Sequence, residues 1–305
     1  MAIRNSCNEK IEDTKLNDDL IKSYNENGYV IIRDIIPKKR IDSLLENVFK
    51  LYCKYSDHSD IFDGMDYPWQ TEIFHKKLIE FRKTNPKDFG AIYDSLKTSL
   101  SLTQLASDDQ VVENVARLLK TNVSNLSISE PMCRLDVPDD KRNLFDWHQD
   151  RSYFPQNRDG LNGLVCWIPL MDITEEMGAI HISPKSHLEG NLNLLQKQKK
   201  DSLHSTQTPV PNELVKKYDD VIVPVKAGDL VLFNMLVFHS SGKNISNKVR
   251  LTLQGRFHIA TADDFIPFEL NNYYNQYIKQ KLEEKYDCSD IPNNIRQPPV
   301  TQYGG

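Results

Sequence analysis

The sequence lacks any apolar run that approaches the roughly 18 residues needed to cross a bilayer, and its first residues hold no apolar stretch of signal-peptide length. It also lacks a long basic run, because 38 Lys and Arg are outnumbered by 43 Asp and Glu, which gives a net charge of -5. Such a charge offers no basic field to nucleic acid and no polybasic membrane anchor. We therefore expect a cytoplasmic protein without a membrane or nucleic-acid partner.

Cysteine is scarce and scattered in this chain. The five cysteines among 305 residues are odd in number and include no C-x-x-C pair, so we expect neither a disulfide framework nor a zinc cluster. Reduced thiols that serve in packing are the default. The hydrophobic fraction of 39% is that of an ordinary globular protein with its own core.

Helical patterns dominate up to about residue 120. The β-branched run at 28–33 predicts a strand within this part, and residues 56–70, rich in Asp, Ser, Gly and Pro, predict a loop. Apolar spacing predicts helices at 19–27 and 37–55 and, as two or three further helices, within 71–120, where 109–119 is the clearest.

Beyond about residue 120 the pattern changes to short β-prone runs separated by Pro, Gly and Asp. Many short strands with such turns indicate a sandwich or a barrel. Residues 188–219, rich in Asn, Gln, Lys and Ser, interrupt this pattern and predict a lid-like insertion. The predicted strands are 123–129, 132–137, 163–168, 178–182, 221–225, 229–233 and 251–258.

The densest group of chemically capable residues is the run DWHQD at 146–150. On an extended strand His148 and Asp150 project to one face, while Gln149 faces away or to the side. The third candidate is His239, which follows a long apolar run. Two His and one carboxylate on one side of an ion leave positions open, as Fe(II) oxygenases require. An H-x-D triplet alone is a weak signal, since most histidines are exposed or structural.

Arg250 follows His239 after eleven residues, within the strand-like run VRLTLQGR at 249–256. A guanidinium is always charged and can hold a carboxylate at two points. Because an unpaired buried charge is costly, Arg250 needs a partner. That partner is either a carboxylate of the protein or a carboxylate of a ligand.

Several stretches of the chain, in this order, resemble the phytanoyl-CoA dioxygenase (PhyH) family of Fe(II)/2-oxoglutarate-dependent oxygenases. The resemblance is dense from about 128 to 260, and it implies a mainly β fold with a helical N-terminal part. Its core would be a double-stranded β-helix, which is a jelly-roll, cupin-like arrangement, flanked by α-helices. The similar stretches are NGYVIIR at 27–33, WHQDRSYF at 147–154, VCWIPLMD at 165–172, MGAI at 177–180, SPKSH at 183–187 and AGDLV at 227–231, with His239 and Arg250.

The resemblance implies that His148, Asp150 and His239 are the iron ligands and the catalytic centre. It makes Arg250 the partner of the distal carboxylate of 2-oxoglutarate, with Ser241 adding a hydroxyl hydrogen bond. Trp167 would wall the co-substrate pocket, and Gln149 and Arg134 are further candidates for polar contact with it, although packing and exposure are equally open for Trp167 and Arg134. The implied cofactors and co-substrates are Fe(II), 2-oxoglutarate and O2.

The SPKSH element is similar to a structural turn of the family. We therefore expect His187 to bond backbone groups and not to act as a fourth ligand. Lys185 replaces a glycine that is usual in this turn, so the local backbone is expected to differ.

We expect one catalytic domain over 1–305. It comprises mainly helical support at about 1–120, the jelly-roll core at about 121–262 with the insertion at 188–219, and a C-terminal helix and tail at 263–305.

The implied reaction hydroxylates an unactivated C–H bond and releases succinate and CO2, and Asp150 argues against halogenation, for which relatives replace the carboxylate by a small residue. Arg151, Tyr153, Phe154 and Arg158 follow the iron motif, and if they line the mouth of the site they favour a small, polar or anionic substrate; a solvated loop is the alternative. A non-catalytic cupin-like binding protein, a hydroxylase of a fatty acyl-CoA and a zinc hydrolase remain the competing functions. Arg250 and Ser241 disfavour the first and Arg250 the last.

Overall fold

Capping residues define the first helix and lead directly into the first strand. The Asn17 side chain accepts a hydrogen bond from the Leu20 amide over 2.8 Å, and α1 (Asp18–Asn27) ends at Gly28, whose φ of 81° is left-handed. β1 (Tyr29–Ile32) and α2 (Lys38–Ser56) follow. The predictions at 19–27, 28–33 and 37–55 are confirmed. The computed structural model describes residues 16–56, 59–140, 144–154, 156–192, 194, 197–198 and 206–266.

Four helices occupy the stretch for which two or three were predicted. The prediction missed the short break at Asn85, which is followed by Pro86 at the first position of a new helix, and the seven-residue helix that begins after Ser99. The predicted loop at 56–70 contains two single-turn 3-10 helices, Asp60–Phe62 and Pro68–Gln70. The four helices are α3 (Glu72–Thr84), α4 (Pro86–Lys97), α5 (Leu100–Ala106) and α6 (Asp109–Leu118).

Two antiparallel sheets follow the helices. The larger has the strand order β1-β8-β3-β10-β2, the smaller has the order β7-β4-β9, and β5 pairs only with β6. The short helix α7 (Asn212–Val215) and the β5–β6 pair belong to the insertion at 188–219. The strands are β2 (Leu126–Asp136), β3 (Gly163–Pro169), β4 (Ile180–Ser183), β5 (Lys197–Gln198), β6 (Thr206–Gln207), β7 (Val221–Val223), β8 (Leu230–Asn234), β9 (Phe238–Ser240) and β10 (Arg250–Ile259).

β2 corrects the prediction of two strands at 123–129 and 132–137. Residues 123–125 form a 3-10 turn, and one strand then continues through Pro131. Pairing with β10 shifts register there: Gln254 faces Met132 but Arg256 faces Ser129, so that two residues of β2 oppose Gly255 alone. This bulge accommodates a proline, which has no amide hydrogen for a regular ladder.

Two hydrophobic clusters share the larger sheet. Alternate residues of β10, such as Leu251 and Leu253, pack with the helices, while Val165 and Phe233 of the same sheet pack with Ile180 and Ile182 of the smaller sheet. Successive side chains of a strand point to opposite faces, so the even-numbered residues of β10 face the space between the sheets. The predicted mainly β fold with a jelly-roll core and a helical N-terminal part is confirmed.

Three remaining expectations concern the surroundings of this core. Among the described residues, no helix is both long and apolar enough to span a bilayer. Cys53, Cys133 and Cys166 are free thiols, and burial raises the pKa of Cys133 to about 12. The expected C-terminal helix at 263–305 lies, beyond residue 266, outside the residues that the structure describes.

Candidate metal centre and active site

An antiparallel bridge holds the two candidate histidines side by side. The His148 amide donates to the His239 carbonyl over 3.0 Å, and the His239 amide donates back over 3.1 Å. The two imidazole centroids lie 4.1 Å apart. His239 belongs to β9, a three-residue strand that the sequence did not predict. The pairing joins two residues that are far apart in the chain.

Asp150 completes the group, although from a turn and not from the expected strand. It begins a 3-10 helix, Asp150–Ser152, and its Oδ1 lies 3.3 Å from Nε2 of both His148 and His239. One ligand atom from each of the three residues lies within 4.8 Å of the others, and all three side chains are buried. The predicted constellation therefore forms, with a local geometry that differs from the prediction.

Hydrogen bonds define which nitrogen of each imidazole faces the centre. Nδ1 of His148 bonds the Asp146 carbonyl over 2.7 Å, and Nδ1 of His239 bonds the Val237 carbonyl over 3.1 Å. A carbonyl oxygen only accepts, so each Nδ1 carries a hydrogen and each Nε2 of a neutral ring presents a lone pair to the centre. Two imidazole nitrogens and one carboxylate oxygen fit the donor set of a non-haem Fe(II) site.

Electrostatics favour the forms that bind a metal. Burial and the neighbouring His239 lower the pKa of His148, which favours the neutral ring. Burial raises the pKa of Asp150, but Arg256 and the two histidines outweigh it and hold that pKa well below its ordinary value. Asp150 is therefore ionised at neutral pH.

A cavity of about 650 Å³ opens beside this group, between the two sheets and the helical layer. Its size is within the range of roughly 300–1,000 Å³ that is usual for small-molecule sites. The wall combines aromatic rings with a few charged groups. The residues that line it are Gly90, Tyr93, Asp94, Lys97, Met132, Arg134, Phe145, His148, Asp150, Tyr153, Phe154, Val165, Trp167, Ile180, Phe233, His239, Ser240, Ser241, Arg250, Gln254 and Arg256.

Arg250 lines the cavity and already has a carboxylate partner in the protein. Its Nε and Nη2 donate to Asp136 Oδ2 over 3.1 and 2.7 Å. Nη1 donates to the Gly178 carbonyl and, over 3.4 Å, to the Gly242 carbonyl. A Cβ at Gly178 would lie 2.5 Å from the Gly242 oxygen, so the glycine allows this close approach. Of the two partners considered for Arg250, the structure shows the protein carboxylate.

Three further predicted residues also lie on the cavity wall. Trp167 is 4% exposed and projects from β3. Ser241 lines the cavity, and its hydroxyl accepts a hydrogen bond from the Phe145 amide over 3.2 Å. Arg134 donates to Asp136 Oδ1 over 3.1 Å, which places Asp136 between two guanidinium groups. Their predicted contact with the co-substrate stays a prediction.

Gln149 does not line the cavity, against the prediction that it contacts the co-substrate. It is fully buried and lies outside the cavity wall. Its Nε2 donates to the carbonyls of Gly190 and Leu236 over 2.8 Å each, and its Oε1 accepts from the Leu192 amide over 3.0 Å. The backbone of Gln149 is extended, with φ -107° and ψ 131°, so its side chain points to the side opposite that of His148. Gln149 ties the iron motif to the start of the insertion.

The residues that follow the motif divide into two pairs. Tyr153 and Phe154 line the cavity, and the Tyr153 ring meets His148 edge to face at 5.4 Å. Arg151 instead donates through Nε to the Arg158 carbonyl over 2.7 Å, and neither arginine is part of the wall. The two arginines therefore give no support to an anionic substrate.

His187 lies away from the metal centre, as expected. Its Nε2 bonds the carbonyl of Asn25 over 3.3 Å. Lys185 has a φ of 68°, the left-handed conformation that glycine adopts most easily. The turn therefore keeps a glycine-like backbone at this position despite the lysine, contrary to the expected difference.

Helix α4 provides a part of the cavity wall that the sequence did not predict. Gly90, Tyr93, Asp94 and Lys97 all come from α4, and no motif connects this helix with the metal residues. Arg256 was also missed, although a signal was present: Arg250, Gln254 and Arg256 share the inner face of β10 through even spacing.

This buried centre of two imidazoles and one carboxylate, at the wall of a cavity within a jelly-roll core, defines the class of non-haem Fe(II) oxygenases. A family model described as phytanoyl-CoA dioxygenase (PhyH) matches residues 24–252. The chain belongs to this family, and the resemblance drawn from the motifs is confirmed. The protein is an oxygenase that depends on Fe(II), 2-oxoglutarate and O2, which sets aside the non-catalytic binding protein and the zinc hydrolase.

Several solved structures share the fold. SnoN from nogalamycin biosynthesis, in complex with Fe3+, alpha ketoglutarate and nogalamycin RO, is 19% identical with a TM-score of 0.54, over 82% of this chain and 86% of that chain. EctD from S. alaskensis is 17% identical with a TM-score of 0.54, over 82% and 79%. EvdO2 from Micromonospora carbonacea var. aurantiaca, complexed with 2-oxoglutarate, is 18% identical with a TM-score of 0.51, over 83% and 96%. At these identities the likeness concerns the fold.

Proposed function

We propose that this oxygenase hydroxylates an unactivated C–H bond of a small, polar or anionic metabolite and releases succinate and CO2. The observation that carries the proposal is a single cavity whose wall contains the candidate metal residues together with Arg250 and Ser241. We also propose that the whole chain acts as one catalytic domain, since the helical part supplies a wall of that cavity.

His148, Asp150 and His239 hold the iron in this proposal. Iron and 2-oxoglutarate supply the oxidising power for the C–H bond when they are bound. The protein orients the ligands: the carbonyls of Asp146 and Val237 hold the two Nδ1 hydrogens, so that both Nε2 atoms face the centre. All three side chains are buried at the cavity wall, which limits the contact of their own ligand atoms with bulk water.

Arg250 and Ser241 bind the distal carboxylate of 2-oxoglutarate in this proposal. Asp136 holds the guanidinium through Nε and Nη2, which orients Arg250 but also means that the co-substrate shares it with a protein carboxylate. Trp167 packs along the co-substrate, and Arg134 holds the second oxygen of Asp136. Because these side chains are already held in place before 2-oxoglutarate binds, they lose less conformational entropy on binding.

One charged pair on the cavity wall favours a polar substrate over a fatty acyl chain. Asp94 and Lys97 of α4 form an ion pair over 2.8 Å, and both side chains are largely exposed to solvent. Functional groups of a polar metabolite can bond them there, whereas an alkyl chain cannot. The fatty acyl-CoA hydroxylase therefore stays the second candidate.

Succinate formation tests the proposal. The full chain with Fe(II), 2-oxoglutarate and oxygen is incubated with a panel of amino acids, phosphonates, sugars and acyl-CoA compounds, and succinate is measured against a blank without protein. We expect a polar or anionic compound to raise succinate formation and to gain one oxygen atom by mass spectrometry. Stimulation by acyl-CoA compounds alone would favour the second candidate, and a product without added oxygen would contradict hydroxylation.

A further inference from the structure

Arg256 lies on β10 and lines the cavity beside the metal centre. Its Nε donates a hydrogen bond to Asp150 Oδ2 over 2.8 Å, and its Nη2 donates to Gln254 Oε1 over 3.2 Å. Arg256 and Asp150 are 6% and 1% exposed. The ion pair is thus shielded from water, where charge-assisted hydrogen bonds are strong.

Packing restrains the same guanidinium group. Its Cζ lies 4.0 Å from the centroid of the Phe154 ring, which is a cation–π contact. The Phe154 amide donates to the Asp150 carbonyl over 3.0 Å. The turn that begins at Asp150 therefore also carries the ring that supports Arg256, and the positions of the three side chains depend on one another.

The two carboxylate oxygens of Asp150 have different partners. Oδ1 lies 3.3 Å from Nε2 of His148 and of His239, whereas Oδ2 is bonded by Arg256. We propose that Arg256 is a positioning residue that reserves Oδ2, so that Asp150 presents Oδ1 alone to the metal. The inference rests on the proposed role of Asp150 as a ligand.

This arrangement matters because a carboxylate can bind a metal through one oxygen or through both. If the protein held an Fe(II) ion through two imidazoles and one carboxylate oxygen, His148, His239 and Asp150 would leave positions open for the co-substrates. Coordination through both oxygens of Asp150 would take one of these positions. Arg256 thereby preserves the open position that an oxygenase needs.

A purely electrostatic role of Arg256 predicts a different result at the metal. Loss of a positive charge beside a dication site strengthens dication binding through the Coulomb interaction but leaves the number of ligand atoms unchanged. Release of Oδ2 would let Asp150 bind through both oxygens, which changes the coordination of the metal and takes a position that 2-oxoglutarate needs. The spectrum of the bound metal and the affinity of the metal-loaded protein for 2-oxoglutarate therefore separate the two roles.

The test is a Co2+ titration of the metal-free full chain by calorimetry, with visible spectra of the bound metal. Arg256→Gln is compared with wild type and with Arg82→Gln, a matched control. Arg82 bonds Asp140 Oδ2 through Nε over 3.0 Å and lies 5.7 Å from the Phe89 ring centroid, away from the cavity. We expect Arg256→Gln to show altered d–d bands with Co2+ bound and, in a second titration of the Co2+-loaded protein, to bind 2-oxoglutarate about tenfold more weakly than wild type. The control should match wild type.

Unchanged d–d bands and wild-type affinity for 2-oxoglutarate in Co2+-loaded Arg256→Gln would overturn the inference even if the variant melts earlier. If Arg256→Gln does not fold, Arg256→Lys decides, because it keeps the charge but cannot reproduce the planar contact. Altered bands with weaker binding of 2-oxoglutarate support positioning, and wild-type behaviour contradicts it. Failure of wild type itself to bind Co2+ would instead remove the ligand assignment of Asp150, a separate and recognisable result.

Discussion

At the scale of single residues, the metal centre is organised by backbone carbonyls and by one arginine. The carbonyls of Asp146 and Val237 select the imidazole tautomers, and Arg256 bonds one oxygen of Asp150. Each contact acts on a candidate ligand from outside the centre. The ligand residues are therefore directed toward the centre before a metal arrives.

Asp150→Ala should abolish Fe(II) binding and succinate formation. The substitution removes the only carboxylate of the candidate triad and leaves Arg256 buried without its partner, which costs roughly 3–5 kcal/mol of stability. Iron content after anaerobic loading and thermal unfolding measure the two effects. Asp159→Ala, at an exposed carboxylate that pairs with Arg158, is the control. Unchanged hydroxylation by Asp150→Ala would refute the triad.

Arg250→Lys should raise the KM for 2-oxoglutarate by about tenfold, since a point charge cannot keep the planar bonds to Asp136 that orient the guanidinium and still hold the co-substrate, which loses roughly 1.4 kcal/mol of binding. Steady-state succinate formation at varied 2-oxoglutarate measures this change. Arg82→Lys, on a similar ion pair outside the cavity, should keep the wild-type KM. A wild-type KM in Arg250→Lys would mean that Arg250 serves only to hold Asp136.

The sequence predicted those site residues that belong to local motifs. His148, Asp150, His239 and Arg250 carry recognisable spacing, and the structure brings all four to one cavity. The Asp136 partner of Arg250 was not predictable, because an isolated Asp at the end of a strand has no distinguishing pattern. The prediction that Gln149 contacts the co-substrate was based on its two neighbours, His148 and Asp150. The side chain of Gln149 points away from the cavity that these neighbours line.

At the scale of elements, the cavity is lined by helix α4 as well as by strands, so the helical layer supplies part of its wall. Gly90 lies inside this helix, where a Cβ would meet nothing within 4 Å. Glycine inside a helix costs roughly 0.5–1 kcal/mol relative to alanine. Packing therefore does not require the glycine, which lies on the cavity wall.

Gly90→Ala should raise the free energy of unfolding by roughly 0.5–1 kcal/mol, as urea denaturation can measure. Gly90→Phe should narrow the cavity and lower kcat/KM for the largest accepted compounds more than for the smallest. The ratio of the two kcat/KM values is the readout, because it cancels general losses of active protein. An unchanged ratio would place the substrate away from α4.

The long periodic elements were predictable, and the short or interrupted ones were not. α2 and β10 have enough apolar repeats to identify them within a few residues. β9 has three residues and depends on pairing with β4, a contact that no local pattern encodes. The prediction broke β2 into two strands at Pro131, because proline usually interrupts a strand. The strand continues through Pro131 only because a bulge lies there, opposite Gly255, which the sequence does not reveal.

At the scale of the whole molecule, one sheet serves two cores. Its outer face packs with the helices, and its inner face packs with the smaller sheet around the cavity. Buried histidines belong to both regions. Burial, then the charge of Lys248, lowers the pKa of His75 to about 4, and burial lowers that of His258 to about 3.

The free energy of unfolding should fall as the pH falls from about 6.5 toward about 4, by up to ~1.4 kcal/mol per pH unit for each of these histidines. The reason is that the unfolded chain, with pKa values near 6.5, takes up protons that the folded chain excludes. Above about pH 6.5 both histidines are neutral in the folded and in the unfolded chain, so they add no pH dependence to the free energy of unfolding. Urea unfolding of wild type and His75→Gln at about pH 5 and about pH 7 tests this. Equal pH dependence of the two proteins would contradict the assignment to His75.

Fe(II) and 2-oxoglutarate should bind together at the centre formed by His148, Asp150 and His239. Anaerobic titration of the full chain with both components, followed by visible absorption, measures this joint binding. We predict a weak charge-transfer band that requires both components, is absent in Asp150→Ala, and decays with succinate formation when oxygen is admitted. No band and no succinate from wild type, or an equal band from Asp150→Ala, would contradict the account.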